Sequence, residues 1–197
     1  MKQQQGFTLI ETLIAVFLLT LTVGGLMTMA ANGYYSVRYA RNQIVADTLL
    51  QESMEYIRNS RDTNIQQNGT WSQWVANFNV SSNGTSLGGA NTQGCFTGSG
   101  TSGTGCIVDP YTSGAHVRAC GATCEKIILY PSGLYGYASS PYTSSLASGT
   151  PATTSYVRTI SVQQNGPEQL TVTGTIQWLN GSASKTLTQS MLLTSWP

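Results

Sequence analysis

Charge is what this sequence has least of. Only 9% of its 197 residues are Asp, Glu, Lys or Arg, the formal net charge is +1, and His116 is the sole histidine. That scarcity excludes several classes of function. Attraction to nucleic acid needs clustered Lys and Arg, and no such cluster is present, so nucleic acid is not indicated as a partner. Acid–base chemistry needs titratable groups in close company, whereas His116 stands alone. Asp109, Glu125 and Glu168 are scattered, which also argues against a calcium site. No Gly-rich phosphate loop follows a strand. The chain does not read as an enzyme, and no cofactor, metal or catalytic residue is expected. Beyond Thr63 the sequence is dominated by Gly, Ser, Thr and Asn, a surface that holds water through neutral groups and is common in exported proteins.

Near the N-terminus the absence of charge coincides with an apolar run. No residue from Thr12 to Gly33 is ionisable, and that run is long enough to span a bilayer. Lys2 precedes it, which favours a cytoplasmic start and an external body. Glu11 is the anomaly, because an acidic side chain near the centre of a bilayer helix costs roughly 2.5–3.5 kcal/mol. A secretory signal peptide with Thr28-Met29-Ala30 as its cleavage site is one reading, but the apolar run is long and Glu11 lies near its beginning. A plain signal anchor explains the length and leaves Glu11 unexplained.

The third reading takes Gly6-Phe7-Thr8-Leu9-Ile10-Glu11 as one motif. With Lys2 in a short polar leader and an uninterrupted apolar run behind, this segment resembles the class III leader of type IV prepilins and of the pseudopilins of type II secretion systems. The resemblance implies that a prepilin peptidase removes residues 1–6 after Gly6 and methylates the new amine of Phe7. It also gives Glu11 a role in assembly: a carboxylate one turn from a terminal amine can neutralise it, within one subunit or between staggered neighbours. A buried pair of that kind mainly sets register.

The first helix is expected to continue past the membrane segment, 7–33, into an amphipathic half, 34–61. Ala46, Leu49, Leu50, Met54 and Ile57 recur at helical intervals and form one stripe, with Asp47, Glu52, Glu55 and Arg58 off it. Gly24-Gly25 interrupts the apolar half. Each interior Gly weakens a helix by about 1 kcal/mol relative to Ala, so the pair is a candidate hinge; close helix packing is the other reading. Many type IV pilins carry a Pro in this region, and this chain has none there.

A connecting region, 62–125, follows. Within it Trp71, Trp74, Val75 and Phe78 have the spacing of a short core-facing helix, while "SSNGTSLGGANTQGCFTGSGTSGTGC" is too rich in Gly, Ser and Thr for regular structure. Four cysteines, Cys95, Cys106, Cys120 and Cys124, favour disulfides in an exported domain. Three pairings are open. The sequential one, Cys95 with Cys106 and Cys120 with Cys124, is favoured because each bridge closes a Gly-containing loop. A zinc site using the four thiolates, or three of them plus His116, is the rival, though Cys95 and Cys106 do not form a second close pair.

Residues 126–197 carry a sheet. "KIILYPSGLYGYA" reads as two strands around Pro131-Ser132-Gly133, and "SYVRTISVQQ", "EQLTVTGTIQWL" and "SKTLTQSMLLTSW" alternate with period two. Leu170, Val172, Ile176 and Trp178 share one face, with Thr171, Thr173, Thr175 and Gln177 on the other. A tight turn at Asn180-Gly181 would set Ile176 opposite Lys185. A four-residue loop, Asn180 to Ala183, sets Ile176 opposite Leu187 and Val172 opposite Met191, and is preferred because it keeps faces matched. The helix stripe can then lie across this apolar face in an α+β fold, a long N-terminal helix packed on a C-terminal antiparallel sheet. The resemblance implies the same architecture.

Function follows as assembly. The expected protein is a structural subunit of a type IV pilus or type II secretion pseudopilus, built by packing of N-terminal helices. Its partners would be other pilins, a prepilin peptidase and inner-membrane assembly machinery. It would reside in the cytoplasmic membrane by a single pass before joining a cell-surface filament. The alternative is a membrane-anchored adhesive module that recognises ligands through its Gly/Ser/Thr-rich loops and does not polymerise.

Overall fold

The computed structural model describes residues 8–88, 93–98, 100–138 and 149–195. Two helices precede seven strands: α1 (Leu9–Gln66), α2 (Trp71–Ala76), β1 (Cys106–Val108), β2 (Val117–Ala119), β3 (Lys126–Leu129), β4 (Tyr135–Gly136), β5 (Ala152–Gly166), β6 (Gln169–Asn180) and β7 (Ala183–Thr194). The chain divides into two compact units, Met1–Gln43 and Ile44–Pro197.

In the second unit, Ala46, Leu49, Leu50, Ser53, Met54 and Ile57 of α1 are buried. These are the stripe positions expected from helical period, with Ser53 added; its hydroxyl donates to the Leu50 carbonyl at 2.8 Å, so the buried polar group is satisfied. The stripe meets Leu170, Val172, Ile160, Val162 and Ile176 of the sheet in one core. The fold is α+β, as the sequence leads one to expect.

α1 runs further than the expected end near Arg61 and stops at Gln66. The stop lies in Asn68-Gly69. Asn68 has φ 58°, its amide donates to the Ile65 carbonyl at 3.0 Å, and the Gly69 amide donates to the Asn64 carbonyl at 2.8 Å. That left-handed cap satisfies carbonyls the last turn would otherwise leave orphaned. α2 begins immediately afterwards with a reciprocal cap: the Gln73 amide donates to Thr70 Oγ1 at 3.3 Å and the Thr70 amide to Gln73 Oε1 at 3.1 Å. Trp74 and Val75 of α2 are buried, and Trp74 Nε1 donates to Ser60 Oγ of α1 at 3.1 Å.

β5 organises the sheet. One edge pairs with β6, and β6 pairs with β7; the other edge pairs with β3 and, at Ile160, with β1. All strand pairs are antiparallel, and β2 and β4 extend β1 and β3. The β6–β7 register is the expected one, with Ile176 opposite Leu187, Val172 opposite Met191 and Leu170 opposite Leu193. Pairing continues to Asn180 opposite Ala183, so Gly181-Ser182 alone makes the turn, with Gly181 at φ 65°. The far face is polar: Thr173 and Ser190 hydroxyls lie 3.0 Å apart and those of Thr175 and Thr188 3.3 Å.

The sheet also begins earlier than residue 126. β1 and β2 lie inside the stretch expected to be only connecting, and they pair Cys106 with Ala119 and Val108 with Val117. Three-residue strands are too short to show a period-two pattern. The bridges are Cys95–Cys106 and Cys120–Cys124, the sequential pairing, and no cysteine is free. A zinc site on these thiolates is thereby excluded.

Candidate functional site

The Met1–Gln43 unit contains the first part of α1, and its large apolar side chains from Leu9 to Met29 are exposed. Leu13 is 63% exposed, Phe17 59% and Leu26 67%. Monomeric proteins do not leave contiguous apolar surface of this extent in water. The helix is long and apolar enough to cross a membrane. Its threonines do not spoil that character, because Thr12, Thr20, Thr22 and Thr28 each turn the hydroxyl back onto a carbonyl three residues earlier, at 2.8 to 2.9 Å. A hydroxyl satisfied within its own helix does not have to be hydrated.

Glu11 lies in the first turn of α1 and is exposed. Its amide donates to the Thr8 carbonyl at 3.1 Å, so the backbone is already helical where the carboxylate sits. That position is favourable in itself, since the positive end of the helix dipole lies there. The ion pairs among the described residues are Arg58–Glu55, Arg61–Asp62, Arg118–Glu125 and Arg158–Glu52, and Glu11 belongs to none of them. Gly6 and Phe7 lie outside the described residues. Gly24 and Gly25 are helical, and a Cβ on either would meet nothing within 4 Å. No packing contact among the described residues therefore demands glycine there.

The globular unit adds a feature that the sequence did not announce, a buried cation. Arg158 on β5 is 2% exposed, and it donates to the carbonyls of Leu49 on α1 and Val108 on β1. It also pairs with Glu52 Oε2 at 3.3 Å and lies over the Tyr137 ring, 5.6 Å from its centroid. The guanidinium thus joins helix, β1 and β5 at one point. Burial pushes the Tyr137 phenol above its usual range, against the opposing pull of Arg158. The signal was there to read: Arg158 is in phase with the inward residues Tyr156, Ile160 and Val162.

His116 has no acidic cluster about it. Its Nδ1 lies 2.9 Å from the Asp109 carbonyl oxygen, and its ring meets Tyr56 at 5.2 Å between centroids. Among the described residues no group of three or more His, Cys, Asp or Glu is placed to hold a metal.

A family model described as "Prokaryotic N-terminal methylation motif" matches residues 1–27. No curated protein and no solved structure matches the chain. The matched stretch contains Gly6, Phe7, Glu11 and most of the apolar run, and it is followed by the α+β architecture of a long helix and an antiparallel sheet. Over residues 1–27 the chain carries the prokaryotic N-terminal methylation motif, the class III leader of type IV pilins, and its fold is pilin-like α+β.

Proposed function

We propose that this protein is a filament subunit, a pilin or pseudopilin of a type IV pilus or type II secretion system. One observation carries the reading: a methylation motif heads an apolar helix whose side chains are exposed and whose first turn holds one carboxylate. Such a helix has two ways to hide its surface, in lipid or against copies of itself. The subunit occupies the first as a single-pass membrane protein and exchanges it for the second on entering a surface filament. Residues 1–6 are the leader, Gly6 places minimal bulk before the cut, and Phe7 becomes the methylated N-terminus. Glu11 neutralises that amine when lipid headgroups and water are lost. Gly24-Gly25 supplies the hinge if the helix has to bend during the transfer. The peptidase, the inner-membrane machinery and neighbouring pilins are the partners.

The test separates processing from assembly. N-terminal sequencing of mature protein is expected to give Phe7, and Gly6→Val to leave full-length precursor in the membrane. Glu11→Gln keeps shape and removes charge, so cleavage is expected to survive while the ratio of subunit in sheared filaments to subunit in membranes falls. Ala31 as the mature N-terminus, or wild-type incorporation of Glu11→Gln, would refute the assignment.

A further inference from the structure

Two hollows on the Ile44–Pro197 unit adjoin one another. They share Tyr56, Ser60, Trp74 and Asn77, and have volumes of about 310 Å³ and 320 Å³. Together they make one groove between α1, α2 and the turns at Gly84 and Gly114. We propose that this groove binds a neutral oligosaccharide.

The lining carries the argument. In the first hollow the Tyr56 and His116 rings are partly exposed, with Trp74 and Phe78 beneath. In the second the groups are amides and hydroxyls: Asn59, Asn64, Gln67 and Asn77, with Ser60 and Thr63. None of the described lining side chains is a carboxylate, an ammonium or a guanidinium. An anion or cation would find no counter-charge among the described lining side chains, the nearby Asp109 carboxylate lying outside the lining, and would lose hydration with little return. A purely apolar ligand would cover the amides and leave them unsatisfied. A sugar ring fits both halves, since its C–H face lies on an aromatic ring and its hydroxyls match amides that both donate and accept.

The groove is also preformed. Asn64 Nδ2 of α1 donates to the Thr70 carbonyl and Trp74 Nε1 to Ser60 Oγ, and the two bonds tie α2 to α1. The His116 ring is held by the Asp109 carbonyl on one side and by Tyr56 on the other. Burial keeps the Tyr56 phenol above its ordinary pKa, so it remains a neutral hydroxyl. A rigid site loses little entropy on binding. The volume of each half matches the lower end of small-molecule sites, about 300 Å³.

The test uses the full chain in a zwitterionic detergent without a sugar head group, before any assembly, so it does not depend on filament formation. Maltotriose, chitotriose and xylotriose are titrated, with 3′-sialyllactose as the anionic probe and neutral anilinonaphthalene as the apolar one. Saturation-transfer NMR reports the bound face, and tryptophan fluorescence reports the groove through Trp74. At least one neutral trisaccharide is expected to bind saturably, with transfer strongest to ring C–H protons. Asn77→Ala combined with Gln67→Ala is expected to raise Kd about tenfold at an unchanged Tm. Tyr56→Phe, which keeps the ring, is expected to retain binding, and Tyr56→Ser to lose it. The proposal is overturned by absence of saturable binding to all three sugars, by preference for the anionic or apolar probe, or by a double variant that binds normally. Dimerisation that the double variant abolishes would overturn it too, in favour of a second copy as occupant.

Discussion

Gly174 sits directly beneath Leu50. A Cβ on Gly174 would lie 2.6 Å from Leu50 Cδ1 and 3.2 Å from both Ile160 Cδ1 and Met54 Sδ. The central strand β6 therefore presents backbone alone where α1 crosses it, between Val172 and Ile176, both fully buried. The helix gains its close approach from that missing side chain.

Gly174→Val is accordingly expected to lower stability by about 1–3 kcal/mol, through the displacement of Leu50 and Met54 from a packed core. Gly174→Ala costs less, because the nearest atom is the end of a flexible Leu side chain. The measurement is the urea midpoint of the full chain in detergent micelles. A midpoint unchanged by the Val substitution would show that helix and strand are further apart.

Arg158 offers a second test. Arg158→Ala removes a cation that two carbonyls and Glu52 share, and takes its donors away from the buried carbonyls of Leu49 and Val108. The expected loss is about 3–5 kcal/mol. Glu52→Gln is expected to cost much less, since its side chain is 26% exposed and Arg158 keeps both carbonyls. Arg158→Lys does not rescue, because one ammonium cannot span the positions that a planar guanidinium reaches. Equal losses for Glu52→Gln and Arg158→Ala would assign the stability to the ion pair and not to the carbonyls.

What the sequence disclosed and what it hid follow from the length of each pattern. The stripe from Ala46 to Ile57 and the β6–β7 register were legible, because both elements are long enough for their periods to repeat. β1 and β2 were not, at three residues each. The end of α1 was signalled by Asn68-Gly69, which only the left-handed φ of Asn68 makes a cap. Arg158 was hidden by its chemistry: charge ordinarily marks the wet face, and only its phase with Tyr156 and Ile160 placed it inside. The methylation motif over residues 1–27 was the most legible feature, since it is local. The groove at Tyr56 and Asn77 was the least, because its residues come from separated stretches and carry no distinctive spacing.

The two disulfides are expected to differ in contribution and in reactivity. Cys95–Cys106 closes the longer loop, and loop entropy gives about 3 kcal/mol for it against about 2 kcal/mol for Cys120–Cys124. Both sulfurs of the first pair belong to residues with no exposure, whereas Cys120 and Cys124 are each 9% exposed. Under graded reductant, alkylation followed by mass spectrometry is expected to mark Cys120 and Cys124 first, with Cys95 and Cys106 modified only as the domain unfolds. The reverse order would contradict the placement of Cys95 in the core.

The last expectation concerns alkaline pH. Burial raises the phenols of Tyr56, Tyr130 and Tyr137 above 10.0, as the largest cause in each case, and Asp109 adds to all three. In the unfolded chain these phenols ionise near pH 10, while in the folded chain they keep their protons to higher pH. Above pH 10 the unfolded state therefore binds fewer protons, and stability falls as pH rises until the folded phenols ionise in turn. Below pH 10 neither state ionises, and the full contribution is present. Tyr137, 1% exposed, accounts for up to about 1.4 kcal/mol per pH unit inside that window. The check is the urea midpoint of the full chain at pH 8.5, 10 and 11 without free thiol, with phenolate absorbance followed in parallel. A flat midpoint across that range, or complete ionisation of all ten tyrosines before unfolding, would mean that these rings are hydrated in the folded protein. Tyr137→Phe is expected to reduce the alkaline slope while leaving the behaviour below pH 9 unchanged, which separates titration of this phenol from general alkaline damage.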